Sequence, residues 1–135
     1  MLRIATIGTS MITDDFIQVV NANDQAAFVG TLSRDANRGA AFTAERDGER
    51  NFISLDELAA AADVDAVYIG SPNALHYEQA LACIAGGKHV IVEKPFCATE
   101  AQALEVFRAA EAAGVVALEA MRPLHDPAFQ KPTKP

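Results

Sequence analysis

The sequence predicts an α/β fold built on a doubly wound, mostly parallel sheet. Apolar stretches of strand length alternate along the chain with segments whose apolar residues recur at helical spacing. The strand stretches are apolar nearly throughout, which indicates strands that helices cover on both faces. At 135 residues the chain is long enough for one domain with a core of its own.

The first half of the chain supplies three predicted strands and the helices that connect them. The strands are expected over residues 2–7 and 26–32 and around Ile53. The connecting helices are expected over residues 12–22 and 36–46. Ser54, with Glu57 three positions later, has the spacing of a capping box and therefore predicts the start of a third helix.

The second half continues the alternation with three more strands and two helices. The strands are expected over residues 65–70, 89–93 and 115–119. The first helix is expected over residues 73–85. The second begins after Thr99, which has Gln102 at the capping-box spacing, and ends at Gly114.

Composition and charge argue against several classes of partner. The net charge of −7 argues against general nucleic-acid binding, and no apolar run reaches the roughly 18 residues of a membrane span. The first residues lead directly into a strand rather than a signal peptide, and two cysteines make no disulfide framework. We therefore expect a cytoplasmic protein with reduced thiols, and no residue spacing predicts a metal site.

The turn after the first strand has the position of the phosphate loop in dinucleotide-binding folds. In such a loop, backbone N–H groups and a helix dipole face a pyrophosphate. The candidate contacts are Gly8, Thr9, Ser10, Met11 and Ile12. Only one of the three usual glycines is present, because Ser10 and Thr13 occupy the other two positions. An ordinary strand–helix turn that contains a glycine is the alternative interpretation.

Polar residues follow the second predicted strand, where these folds bind the adenosine ribose. Ser33 and Arg34 come first, and Asp35 follows by one position. A hydroxyl and a guanidinium can together hold a phosphate dianion, whereas a carboxylate in this place binds the ribose 2′-hydroxyl. We therefore expect NADP as the cofactor, with NAD as the second choice. A solvated turn that carries Arg34 and Asp35 is the alternative.

The fourth strand ends in Ser71, Pro72 and Asn73, with His76 about one turn into the next helix. Pro72 suits the first turn of a helix, and Ser71 or Asn73 is expected to cap it. Polar groups here would also face a bound nicotinamide or its ribose, so all four residues are candidate cofactor contacts. For His76 a packing or surface role is the alternative.

The fifth strand runs straight into Glu93, Lys94 and Pro95. Ligands of parallel α/β sheets collect at the carboxyl ends of the strands, so a lysine delivered there is placed to do chemistry. Proline fixes its own φ and biases the residue before it toward an extended backbone. Lys94 is therefore the candidate catalytic residue, and all three are candidate cofactor contacts.

The two cysteines have different expected surroundings. Cys83 falls on an apolar helix face and is expected in the core. Cys97 lies just before a predicted helix, a position where the pKa of a thiol is expected to be lowered. Nothing in the sequence marks a partner that would make either thiol a nucleophile.

Taken in chain order, these motifs resemble one known family. They are Ile-Gly-Thr-Ser near the start, Ser-Arg after the second strand, Ser-Pro-Asn-x-x-His after the fourth, Gly-Lys-His-Val-x-x-Glu-Lys-Pro at the fifth and Leu-Glu-Ala-Met-Arg at the sixth. The order and spacing are similar to the N-terminal domain of the glucose–fructose oxidoreductase/inositol dehydrogenase (Gfo/Idh/MocA) family. The resemblance implies a Rossmann NAD(P)-binding domain and hydride transfer between nicotinamide and a sugar, polyol or related hydroxyl compound.

The resemblance also implies roles for single residues and a second domain. Lys94 would be the active-site lysine, near both nicotinamide and substrate, while Ser71, Asn73 and His76 would line the cofactor cleft. Members of the family carry a second α/β domain with further catalytic groups, which this sequence lacks. We therefore expect the chain alone to lack a complete active site.

Two functional interpretations follow. The first is the cofactor-binding half of an oxidoreductase, with a Rossmann domain over residues 1–121 and a proline-rich tail over 122–135 that begins the missing domain. Such a half should bind NADP, act on a sugar or polyol once the second domain is supplied, and self-associate through an uncovered apolar patch near residues 115–129. The second is a standalone Rossmann-like interaction module without catalysis, which the loss of two glycines favours.

Overall fold

The computed structural model describes residues 1–120, which form a six-stranded sheet with helices on both faces. The strands are β1 (Leu2–Ile7), β2 (Ala26–Leu32), β3 (Arg50–Phe52), β4 (Ala66–Ile69), β5 (His89–Glu93) and β6 (Ala117–Ala120). The helices are α1 (Met11–Ala22), α2 (Ala36–Glu45), α3 (Leu55–Ala60), α4 (His76–Ala85) and α5 (Glu100–Ala113). The strand order is β3-β2-β1-β4-β5-β6 with every pair parallel, so the predicted doubly wound fold is confirmed.

Two apolar layers cover the two faces of the sheet. The larger lies under α3, α4 and α5, and its fully buried members include Leu58, Val67, Val90, Val92 and Val106. The smaller lies under α1 and α2 and includes Ile4, Ile17, Val20, Phe28 and Phe42. Burial on both faces explains why the strands of this chain are apolar nearly throughout.

Most predicted element boundaries agree with the structure to within a residue or two. β3 ends at Phe52, so Ile53 lies just after the strand rather than within it. β6 begins at Ala117, two residues later than expected. α5 ends as predicted at Gly114, whose φ of +71° is the left-handed conformation that terminates many helices.

The connection from β4 to α4 differs from the prediction. It forms a 3₁₀ turn over Asn73–Leu75, and α4 begins only at His76. The expected cap by Ser71 or Asn73 is wrong, because neither helix receives a side-chain cap. The Ser71 hydroxyl donates instead to Gln79 Oε1, one turn into α4.

The predicted capping boxes hold the starts of α3 and α5. Ser54 Oγ accepts from the N–H of Glu57 at 3.1 Å. The Glu57 carboxylate accepts from the N–H of Ile53 at 2.9 Å, one residue earlier than in the usual reciprocal bond. Thr99 and Gln102 repeat this arrangement at the start of α5.

Apolar side chains are exposed near β6, at one edge of the sheet. Val116 and Leu118 are 52% and 50% exposed, and Leu104 and Phe107 of α5 are 45% exposed each. The predicted uncovered patch thus begins within the described part of the chain, while its remainder and the predicted tail over 122–135 lie outside the described residues.

Among residues 1–120, no helix has both the length and the apolar character needed to cross a membrane.

Candidate functional site

Strand order brings the four predicted site segments into one row. β2, β1, β4 and β5 lie side by side and run in the same direction, so their carboxyl ends share one edge of the sheet. The residues just beyond these ends include, in the same spatial order, Ser33, Gly8, Ser71 and Lys94. The winding of the chain reverses between β1 and β4, which is where open α/β sheets bind ligands.

A cleft of about 650 Å³ opens along the ends of β2, β1 and β4. This volume lies within the roughly 300–1,000 Å³ typical of ligand sites. The predicted contacts that line it are Gly8, Thr9, Ser10, Ser33, Arg34, Ser71 and Pro72. Some of its other lining residues belong to none of the predicted motifs, among them Arg38, Ile53, Leu75 and Gln79.

Gly8 makes the sharp turn between β1 and α1. Its φ of +104° is a conformation that L side chains rarely adopt. A β-carbon at this position would approach the carbonyl oxygen of Gly70 to 2.8 Å. The Gly8 N–H donates to Leu32 O, and the Gly70 N–H donates to Ile7 O, each at 2.9 Å. Both conformation and space therefore require glycine in a turn that is tied to two neighbouring strands.

Local packing accounts for the two missing glycines. Ser10 is the N-cap of α1 in an extended conformation, and its side chain accepts from the N–H of Thr13 at 3.3 Å. Its φ of −74° is one that any residue adopts, so the backbone at this position does not require glycine. Thr13 is fully buried beside Gly70, which has no side chain to occupy the space that Thr13 fills. The third glycine normally allows the helix to pack closely on the strand. Here Gly70, at the end of β4, provides the space instead.

The end of β2 presents two arginines to the cleft, together with Asp35, whose carboxylate caps a helix. Asp35 is the N-cap of α2, and its carboxylate accepts from the N–H groups of Asn37 and Arg38 at 3.0 and 3.1 Å. Arg34 and Arg38 both line the cleft. Arg38 was missed because it lies inside a helix. Its place in the first turn of a helix that starts at a strand end is the signal that would have found it.

His76 is buried and connects two of the strand-end loops. Its Nε2 lies 2.8 Å from the carbonyl oxygen of Ser71, and its Nδ1 lies 2.9 Å from that of Pro95. The residue is only 1% exposed and does not line the cleft. The contacts of His76 are therefore those of a packed residue. Any effect of His76 on cofactor binding would be transmitted by these two loops.

The loop that carries Lys94 is fixed by bonds to its neighbours. Glu93 accepts a hydrogen bond from the hydroxyl of Tyr68, and the Lys94–Pro95 peptide bond is cis. The Phe96 N–H donates to a carboxylate oxygen of Glu119 at 3.0 Å. Lys94 itself is exposed. Lys94 is thus exposed on a loop whose Pro95 carbonyl contacts His76 and whose Phe96 N–H is bonded to Glu119.

Seven predicted contacts do not line the cleft: Met11, Ile12, Asn73, His76, Glu93, Lys94 and Pro95. Met11 and Ile12 are 81% and 43% exposed at the start of α1. The Glu93–Pro95 segment follows β5, the next strand after the one that ends at Ser71. The cleft therefore covers the β2, β1 and β4 ends of the row, and the lysine lies beyond its β4 end.

The expected lowering of the Cys97 pKa is wrong. Partial burial and the negative charge of Glu119 both raise the pKa of this thiol. Burial raises the pKa of Cys83 to about 12, in agreement with its predicted place in the core.

The raised pKa values predict slow thiol chemistry. Because a raised pKa leaves less thiolate at any pH near neutrality, iodoacetamide should label Cys97 more slowly than it labels a small model thiol. The rate should rise as the pH is increased, and Cys83 should react only when the protein unfolds. Mass spectrometry of labelled peptides, with Cys97→Ser as control, measures both rates. Faster labelling of native Cys97 than of the model thiol at neutral pH would contradict this assignment.

Comparison with known proteins agrees with the geometry. The model that describes the NAD-binding Rossmann fold of the Gfo/Idh/MocA oxidoreductase family matches residues 2–121 of this chain. The chain is 42% identical over 131 residues to scyllo-inositol 2-dehydrogenase (NADP⁺) of Bacillus subtilis, covering 97% of this chain and 40% of that protein. It is 40% identical over 116 residues to 1,5-anhydro-D-fructose reductase of Ensifer adhaerens, and this match covers 86% of this chain and 35% of that protein.

A solved structure carries the same fold with a cofactor bound. The 3-ketoreductase KijD10 of Actinomadura kijaniata, in complex with TDP-benzene and NADP, matches with a TM-score of 0.90 and 30% identity, over 96% of this chain and 41% of that one. The chain spans two fifths or less of the length of the two curated relatives named above. The family match over residues 2–121, on a fold with this glycine turn and strand order, establishes that the chain belongs to the Gfo/Idh/MocA oxidoreductase family and forms its NAD(P)-binding Rossmann domain.

Proposed function

We propose that this chain is the cofactor domain of an NADP-preferring oxidoreductase. The enzyme transfers hydride to or from a sugar, a polyol or a related hydroxyl or carbonyl compound. The names of two relatives, an inositol dehydrogenase and an anhydrofructose reductase, support this substrate class. In this proposal residues 1–121 form the cofactor domain, residues 122–135 begin a second domain that completes the substrate site, and the protein acts in the cytoplasm.

The observation that carries the NADP preference is the pair of arginines at one end of the cleft. Arg34 and Arg38 both line it, and Ser33 lies beside them. The neighbouring acid, Asp35, is engaged by the N-terminal N–H groups of α2. Two guanidinium groups and a hydroxyl suit a 2′-phosphate, whereas NAD would leave both cations without their partner.

The rest of the row suits the remaining parts of the dinucleotide. The turn at Gly8, with Thr9 and Ser10 at the N-terminus of the 12-residue helix α1, suits the pyrophosphate, and Met11 and Ile12 border it. Ser71, Pro72 and Asn73 follow β4 and would contact the nicotinamide half, with His76 holding their loop. The residue types at each strand end therefore match the order of groups along the cofactor.

Lys94 is the proposed catalytic residue. When bound, a nicotinamide cofactor supplies the hydride donor or acceptor. The exposed ammonium of Lys94 can donate a hydrogen bond to the oxygen of the hydroxyl or carbonyl that reacts. Glu93 and Pro95 hold the lysine at the end of β5 and border the cofactor.

Self-association is part of the proposal for the isolated chain. Val116, Leu118 and Phe107 expose about half of their surface near one sheet edge. β6 is also an edge strand of the sheet that residues 1–120 form, and exposed edges invite pairing. The chain should therefore associate at high concentration through this edge.

Calorimetric titration of the 135-residue chain with NADP and, separately, with NAD tests the proposal. NADP should bind in the micromolar range, and NAD should bind at least about 100-fold more weakly because it lacks two charge-assisted bonds worth roughly 1.5–3 kcal/mol each. Equal affinities would contradict the preference. Failure of both cofactors to bind at millimolar concentration would contradict the cofactor role and favour the interaction module without catalysis.

A further inference from the structure

Tyr68 is a buried phenol that lies beside the proposed nicotinamide end of the site and belongs to none of the motifs. It is on β4 and is 2% exposed. Its ring stacks on that of Phe16 in α1, with the centroids 4.1 Å apart and the planes inclined by 13°. Gly70 follows two positions later, and a β-carbon there would come within 3.1 Å of the Tyr68 ring. The position of the ring is therefore set by close packing.

The hydroxyl of this fixed ring reaches the neighbouring strand. Tyr68 is in register with Ile91 of β5, and Glu93 lies two residues further along, on the same face of the sheet. The Tyr68 hydroxyl donates to Glu93 Oε2. A carboxylate has two acceptor oxygens, so the bond through Oε2 leaves Oε1 as a second acceptor. Glu93 is thereby oriented at the residue directly before Lys94.

We infer that Tyr68 is a positioning residue for the nicotinamide end of the proposed site. Its hydroxyl holds the Glu93 carboxylate so that the second oxygen accepts from a hydroxyl of the nicotinamide ribose. The inference rests on the proposed function, because it concerns the same cofactor. It goes beyond that proposal by giving a core residue outside the cleft a role in the affinity for one half of the ligand.

Two probes separate the two halves of the cofactor. NADP contains both halves, whereas adenosine 2′,5′-bisphosphate contains the phosphorylated adenosine and lacks the nicotinamide ribose. Tyr68→Phe keeps the stacked ring and removes only the hydroxyl. It should weaken NADP binding by roughly 10- to 150-fold, as expected for one bond to a charged group, and should change bisphosphate binding less than about twofold. Isothermal calorimetry of wild type and variant measures all four dissociation constants.

Tyr77→Phe is a matched control. It makes the same chemical change at the other tyrosine, on α4, which does not line the cleft and whose pKa is raised by Glu105 of α5. Both probes should bind this control as they bind the wild type.

In a Glu93→Ala background, Tyr68→Phe should change NADP binding less than about twofold, because the bond between Tyr68 and Glu93 is already absent.

Three results would overturn the inference. They are equal weakening of both probes by Tyr68→Phe, no weakening of NADP, and a lower unfolding temperature with an unchanged ratio of the two affinities. The last result would mean that the hydroxyl serves stability alone. A wild-type chain that binds neither probe would contradict the proposed function itself, so the two failures are distinguishable.

Discussion

Replacing Gly8 with alanine is expected to destabilise the fold by roughly 2–6 kcal/mol and to abolish NADP binding. A side chain at a φ of +104° costs about 1–3 kcal/mol in backbone strain. The added methyl group would also meet the carbonyl oxygen of Gly70 at 2.8 Å, and such overpacking costs a further 1–3 kcal/mol or so. Urea unfolding monitored by circular dichroism measures the first effect, and calorimetry measures the second.

Gly87→Ala is the matched control for this change. Gly87 also has a positive φ, +81°, but among the described residues a β-carbon there would meet nothing within 4 Å. It should therefore cost only the strain and leave NADP affinity unchanged. If Gly8→Ala proved no more destabilising than Gly87→Ala, the close contact between the turn and Gly70 would not constrain the fold.

Removing both arginines from the cleft is expected to erase the preference for NADP. Bonds to charged groups contribute roughly 1.5–3 kcal/mol each, so Arg34→Ala and Arg38→Ala together should weaken NADP binding by about 100-fold or more. NAD binding should change less than about threefold, because NAD has no 2′-phosphate for these side chains to contact. Calorimetric titrations of the double variant with both cofactors measure this difference.

Arg108→Ala controls for the loss of positive charge. Arg108 is exposed on α5, which packs on the opposite face of the sheet from α2. It should leave the affinities for both cofactors unchanged. Equal weakening of NADP and NAD by the double arginine variant would mean that these side chains support the fold or the pyrophosphate rather than the 2′-phosphate.

The doubly wound class of this fold follows from features that are visible in the sequence. Apolar strands alternate with capped helices, and parallel strands joined by helices leave few arrangements. The carboxyl ends of parallel strands share one edge of the sheet. The residues after β1, β2, β4 and β5 could therefore be predicted from the sequence to form one site. Capping by Ser54 and Thr99 was predicted because it depends on residues three positions apart.

Contacts between distant segments were not predictable in this way. Thr13 in place of glycine looks like a loss of function until its packing on Gly70 of a distant strand end is known. Arg38 was missed because it is the third residue of α2 and not part of the Ser-Arg pair at the strand end. The pKa of Cys97 was expected to fall because of the helix that follows it. Burial and Glu119, which is 22 positions away, raise it instead.

The central claim is that a nicotinamide dinucleotide lies along the row of strand ends from Ser33 to Lys94. NMR titration of the ¹⁵N-labelled chain with NADP tests it residue by residue. The account predicts that the amide signals of Gly8, Ser33, Ser71 and Lys94 shift together with one dissociation constant, while amides at the opposite edge, such as that of Asp65, stay unchanged. Shifts confined to other parts of the chain, or no shifts at saturating NADP, would contradict the account.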